Sequence, residues 1–272
     1  MIKSILVGLN GTQFSKSAVE QAIRLAAEFD AKLLGLAVLD HAQVCPPESV
    51  PIGAGEFKRA RDAAMLQAAN DQRERLLLEF EQQCQAAGVV AQTQKIDGDP
   101  AQVLCAQAQR VDLLVVGKKH TAAEESDTSA ATLQAILHQS PRPVLCVPRV
   151  INERKPILIA YDGSLPAARA VQLFIASGLD TDRPVHLLTI GDRAAEIAEP
   201  CLEFLAAHGI RAEQHLAAGT QPAEHILKFA ERLDVGMLVM GAYGQPRFRE
   251  FFFGSTTQSV LQRMMVPLYL YH

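Results

Sequence analysis

Short apolar runs alternate with amphipathic stretches along the whole chain. Ile5-Leu6-Val7, Leu113-Leu114-Val115-Val116, Ile157-Leu158-Ile159 and Met237-Leu238-Val239-Met240 are nearly all apolar and strand-length, as expected of strands buried on both faces. This pattern predicts strands near 3–9, 32–39, 90–96, 113–117 and 143–148, then near 156–161, 184–190, 211–217, 236–241 and 266–271. Helical periodicity predicts helices near 15–29, 56–87, 100–110 and 128–139, then near 165–178, 193–208, 222–233 and 255–264. In the long segment 56–87, Met65, Leu66, Ala69, Leu76, Leu77, Phe80 and Cys84 predict one buried stripe. Residues 45–55, rich in proline and glycine, predict an irregular loop. Strands that alternate with helices imply a parallel sheet covered on both faces, and right-handed crossovers make it a doubly wound α/β fold.

The alternation occurs twice. Ile5-Leu6-Val7-Gly8-Leu9-Asn10-Gly11-Thr12 resembles Ile157-Leu158-Ile159-Ala160-Tyr161-Asp162-Gly163-Ser164. The spacing from Gly117 to Pro143 equals that from Gly241 to Pro267. We therefore expect two tandem five-stranded units, 1–150 and 151–272, each with strand order 3-2-1-4-5 and joined by a short polar link.

Composition narrows the class. With 49% hydrophobic and 21% charged residues, the chain has the profile of a globular protein rather than a disordered one. No apolar run is long enough to span a bilayer, and the N-terminus lacks a signal-peptide pattern, which predicts a cytoplasmic protein with no membrane partner. A net charge of −4 gives no footprint for nucleic acid. Five scattered cysteines argue against a disulfide framework, and Cys105 and Cys146 read as small buried hydrophobes. The eight histidines show no ligand spacing, and no nucleophile elbow or Walker A sequence occurs.

The candidate chemistry sits after the fourth strand of the second copy. There Gly241, Gly244, Gly254 and Ser255 lie between a predicted strand and a predicted helix. Glycines admit close approach, and free N–H groups at a helix start attract phosphate. Ser255 and Thr256 add hydroxyls, and Arg247, like Arg249, stands inside the loop where it either neutralises phosphate or is merely solvated. Phe251, Phe252 and Phe253 read as a packing anchor. Asp162 and Ser164 follow the first strand of the same copy, at the crevice where strand order reverses. The Asp162 carboxylate can accept hydrogen bonds from ribose or adenine, or help hold a metal on the phosphates; the competing reading is a helix N-cap.

The pattern Gly241-x2-Gly244-x9-Gly254-Ser255 with the upstream Asp162 resembles the ATP-binding signature of the universal stress protein family. The resemblance spans essentially the whole chain. It implies Rossmann-like domains that pair through their last strands as an internal pseudo-dimer, with self-association into a homodimer as a further option. It implies bound ATP or a related adenine nucleotide with Mg2+ or Mn2+, and a stress-response role as a nucleotide-dependent regulatory protein acting on an unknown protein partner. The alternatives are a slow ATPase or adenylate-handling hydrolase, and a purely structural interaction module.

Copy one departs from the signature. Asn10 replaces the aspartate, His120 occupies the place of the second glycine, and Ala130 and Ala131 stand where Gly254 and Ser255 stand in copy two. Its intervening loop carries Glu124, Glu125 and Asp127. A carboxylate about 7 Å from a phosphate opposes binding by roughly 2 kcal/mol at an effective dielectric near 20. Lys118 and Lys119 are the candidates to offset that repulsion. The expectation is one nucleotide per chain, held by 151–272, beside a degenerate first copy.

Overall fold

The computed structural model describes residues 1–49, 51, 53–118, 127–149, 155–179, 183–242 and 254–272, with the backbone alone for 127–129. The elements follow the alternating plan. In the first half they are β1 (Ser4–Gly8), α1 (Gln13–Phe29), β2 (Lys32–Leu39), α2 (His41–Val44), α3 (Gly55–Ala86), β3 (Ala91–Asp97), α4 (Pro100–Ala108), β4 (Leu113–Gly117), α5 (Asp127–Gln139) and β5 (Val144–Val147). In the second they are β6 (Ile157–Ala160), α6 (Leu165–Ser177), β7 (Val185–Ile190), α7 (Ala194–Ala207), β8 (Ala212–Ala217), α8 (Pro222–Arg232), β9 (Met237–Gly241), α9 (Ser255–Arg263) and β10 (Leu268–Tyr271).

All ten strands form one sheet, in the order β3-β2-β1-β4-β5-β10-β9-β6-β7-β8. Each half runs 3-2-1-4-5 and is parallel throughout. The halves meet where β5 pairs antiparallel with β10, with Leu145 opposite Tyr269. This is the expected pairing through last strands. It turns two five-stranded sheets into a continuous one with a pseudo-twofold at its centre.

Both faces of the sheet are covered. Ile5, Val7, Leu113, Val115, Ile159 and Val239 pack on one side with residues of α1, α6 and α7. Leu6, Leu114, Val116, Leu158 and Leu238 pack on the other with α4, α5, α8 and α9. At the seam Tyr269 is buried, its ring edge-on to Phe174 at 5.3 Å. The edge strands differ from the near-continuous apolar expectation. β3 (AQTQKID) and β8 (AEQHLA) alternate between exposed and half-buried residues, because a strand at the sheet margin faces solvent along one side.

Helix α3 also differs. Of the predicted stripe only Leu77, Phe80 and Cys84 are buried, while Met65 and Phe57 are exposed. The helix is 32 residues long, roughly 48 Å at 1.5 Å per residue, far longer than the strands it packs beside. Its last third covers β2, where a β-carbon on Gly35 would stand 2.5 Å from the Phe80 ring. The short helix α2 lies just before the stretch expected to be irregular, in residues the sequence pattern assigns to no element. Asp40 caps it by accepting from the N–H groups of Ala42 and Gln43 at 2.9 and 3.3 Å.

The four cysteines 84, 105, 146 and 201 are buried. Burial pushes the Cys105 thiol up to about 11 and the Cys146 thiol up to about 12, so both stay protonated and act as small apolar groups.

Candidate functional site

The site of the second half begins where β6 ends. The chain turns through Tyr161 and Asp162, and Gly163 adopts a left-handed φ of 75°. The Asp162 carboxylate accepts from Ser164 N–H at 3.0 Å. Ser164 is the N-cap of α6, its hydroxyl accepting from Ala167 N–H at 3.3 Å. The N-cap reading of this segment is therefore realised, by Ser164 itself. Asp162 holds the turn with one oxygen and remains exposed.

Gly241, at the end of β9, brings the strand hard against α6. A β-carbon there would lie 2.4 Å from the Ala167 nitrogen and 2.8 Å from its α-carbon. The close approach this glycine permits is to the first turn of a helix. Gly254 behaves differently. It starts α9 with φ −54°, and among the described residues no side chain caps the helix and an added β-carbon would meet only the Thr257 hydroxyl at 3.8 Å.

These pieces surround a cavity of about 270 Å³ at the carboxyl ends of β6 and β9. Asp162, Gly241, Gly254, Ser255 and Thr256 all line it, so five of the expected residues converge on one space. Ser164 is not part of the wall; its hydroxyl is committed to the cap. Gly244 and Arg247, with Arg249 and the three phenylalanines, lie outside the described residues.

The rest of the wall went unnoticed in the sequence. Leu188, Ile190, Ile226 and Met240 form an apolar side, and Tyr161 and Thr257 complete the rim. Each apolar member reads as ordinary core until the topology is known. Burial, then the neighbouring Cys201 and Asp162, raises the Tyr161 phenol, which stays protonated and able to donate. The positive end of the α9 dipole opens on this space.

The first half repeats the frame. Asn10 accepts from the Thr12 N–H at 3.1 Å and from its hydroxyl at 2.8 Å, and Thr12 caps α1 by accepting from Ser15 N–H at 3.2 Å. Gly11 takes φ 73°, and a β-carbon on Gly117 would lie 2.3 Å from the Phe14 carbonyl oxygen. A cavity survives here as well, about 370 Å³, walled by Asn10, Leu36, Asp40, Gln43, Val116, Gly117 and Thr132 among others. Two features set it apart. Helix α5 begins at Asp127, so Ala130 and Ala131 lie inside the helix rather than at its start. Asp40 and helix α2 reach over the strand ends, a cover with no counterpart among the described residues of the second half.

Lys118 corrects an expectation. Its amine does not face the cavity. The side chain is buried in the seam between the halves, where it donates to the Met264 carbonyl at the end of α9. Desolvation lowers its pKa to about 8, and its amine, spent on the Met264 carbonyl, is turned away from the cavity. Lys119, His120, Glu124 and Glu125 lie outside the described residues, as does the side chain of Asp127. Although the histidines show no ligand spacing along the sequence, His186 in β7 and His215 in β8 are neighbours, their ring nitrogens 3.1 Å apart.

Among the described residues no helix is long and apolar enough to cross a membrane. The sequence pattern of the Universal stress protein family matches residues 1–148 and 190–272. A universal stress protein of Synechocystis sp. is 26% identical over 287 residues, spanning 98% of this chain and 99% of that protein. Among solved structures, a universal stress protein from Archaeoglobus fulgidus superposes with a TM-score of 0.75 at 21% identity, covering 98% of this chain and 97% of its own. A functionally unknown protein from Pseudomonas aeruginosa superposes with a TM-score of 0.62 at 18% identity, covering 99% and 92%. The fold is thus shared over the full length of both, and the chain belongs to the universal stress protein family.

Proposed function

We propose that the second half, residues 151–272, binds ATP or a related adenine nucleotide, and that the chain is a cytoplasmic stress-response protein whose shape or partner affinity follows nucleotide occupancy. In this reading residues 1–150 are a structural partner. The observation that carries it is the convergence of Asp162, Gly241, Gly254, Ser255 and Thr256 on one cavity beside an uncapped helix start. The residues fit such a ligand. The apolar wall of Leu188, Ile190, Ile226 and Met240 suits a flat base. The N–H groups opening α9 suit a phosphate. Asp162, exposed and with one oxygen outside its turn, would hold the ribose or a Mg2+ or Mn2+ ion carried by the phosphates.

The cavity is small for a whole nucleotide triphosphate, so the phosphates extend toward the open mouth at Gly254. The test is a mass spectrum of whatever the purified full chain releases on denaturation. An adenine nucleotide in near-stoichiometric amount supports the proposal. Its absence, with no binding of added ATP, refutes it.

A further inference from the structure

On the sheet margin of the second half, three side chains with metal-ligand atoms stand together: His186 in β7, and Glu213 and His215 in β8. Glu213 pairs in register with His186, and His215 with Leu188. Residues two apart in a strand point to one face, so Glu213 and His215 flank His186 on the side covered by α8. The His186 Nδ1 lies 3.1 Å from His215 Nε2 and 3.5 Å from Glu213 Oε2, and His215 Nε2 lies 3.7 Å from Glu213 Oε1. Two ligands bound tetrahedrally to zinc at about 2.05 Å are separated by roughly 3.3 Å. The distances of 3.1, 3.5 and 3.7 Å lie around that value, with each Glu213 oxygen facing one imidazole. We propose that His186, Glu213 and His215 form a Zn2+ site, with the fourth position open to water.

Two further observations favour a metal over a plain polar cluster. Both imidazoles are almost buried, with side chains 10% and 11% exposed, while Glu213 at 66% leaves the outer side open to an ion. The His215 ring packs on Phe229 of α8 at 5.3 Å, and Arg232 lies over that same Phe229 ring at 4.1 Å from its centroid, so the imidazole is braced from the helix side.

The first half supplies the control. Leu6 of β1 pairs with Leu34 as Leu158 of β6 pairs with His186. Following the register outward, Leu34, Gln92 and Gln94 occupy the places of His186, Glu213 and His215. The same strand pair is therefore built without any ligand, and the fold does not demand the imidazoles. A bound ion would clamp the margin strand β8 onto β7, in a place where a strand has hydrogen-bond partners on one side only.

The site is independent of the nucleotide proposal, and the experiment separates them. Metal-stripped full chain, free of any affinity tag and of nucleotide, is titrated calorimetrically with Zn2+, and with Mg2+ in parallel. The expected result is one Zn2+ per chain, no Mg2+ uptake, and a raised melting temperature with Zn2+. Glu213→Gln and His215→Gln, which install the side chains found in the first half, should each weaken Zn2+ more than about tenfold, since even outer partners of a metal site are worth 10–100-fold. Circular dichroism checks that both variants fold, and Glu213→Gln, being exposed, preserves the test should His215→Gln not. No stoichiometric uptake by the wild-type chain overturns the proposal. So does uptake that both variants retain, or uptake that disappears instead with Asp162→Ala.

Discussion

The two halves have the same frame and different contents. Each has a turn held by an Asx side chain, Asn10 or Asp162, a left-handed glycine at Gly11 or Gly163, and a helix capped by the hydroxyl of Thr12 or Ser164. Each has a strand-end glycine, Gly117 or Gly241, pressed against the first turn of that helix. They part company at the last helix: Gly254 opens α9, while its counterpart Ala130 lies inside α5. They also differ in charge, Asp162 against Asn10, and in the cover that Asp40 and α2 provide over the first cavity. The comparison separates two kinds of glycine that look alike in the sequence. Gly117 and Gly241 serve packing in both halves; around Gly254 the described residues leave space.

The sharpest way to break this separation is to fill both packing glycines. Gly117→Ala and Gly241→Ala each place a β-carbon inside 2.5 Å of helix backbone, and overpacking of that kind costs about 3 kcal/mol. Chemical denaturation should show losses of similar size in the two halves. A loss for Gly241→Ala alone would mean that the second position is shaped for something other than packing.

Gly254→Val reverses the logic. Among the described residues the added β-carbon meets nothing closer than the Thr257 hydroxyl at 3.8 Å, so stability should change by less than about 0.5 kcal/mol. ATP affinity should fall about 100-fold, because the branched side chain closes the approach to the α9 amides. Retained affinity would remove Gly254 from the site.

Lys118 tests the seam. A lysine whose folded pKa is near 8, below the ordinary 10.4, penalises the fold while protonated. The full penalty holds below pH 8 and is relieved as pH rises from about 8 toward 10.4, so wild-type stability should increase across that window. Lys118→Met removes the charge and should stabilise the protein by roughly 2 kcal/mol at pH 7, less the lost hydrogen bond to Met264. Its gain should shrink as pH rises. A variant less stable at pH 7 would show that the bond outweighs desolvation.

Smallest in effect is Asp162→Asn, which gives the second half the residue of the first. The turn survives, since Asn10 makes the same bond, and stability should hold. Affinity for ATP should fall about tenfold through loss of a charged acceptor.

Most of the fold was legible because buried parallel strands announce themselves: β2, β4 and the cores of β6 and β9 are apolar on both sides, and each falls where the pattern put it. The polar margin strands were placed as well, but their exposure was not, since no local signal says which strand ends a sheet. Helix α3 shows the opposite limit. Its periodicity promised a buried stripe along the whole length, yet only Leu77, Phe80 and Cys84, at the end opposite β2, are buried. In the site, Asp162 and the glycines were legible as a spaced motif, whereas Leu188, Ile190, Ile226 and Met240 were not, because an apolar wall residue and an apolar core residue look identical. His186 and His215 were invisible for a related reason: 29 positions apart in the chain, they meet only through strand pairing.

The central claim is the asymmetry of the two halves, and calorimetric titration of the full chain with MgATP reads it directly. The account predicts one site per chain, abolished by Gly254→Val and untouched by Asn10→Asp. Two equivalent sites, or one site that survives Gly254→Val, would contradict it.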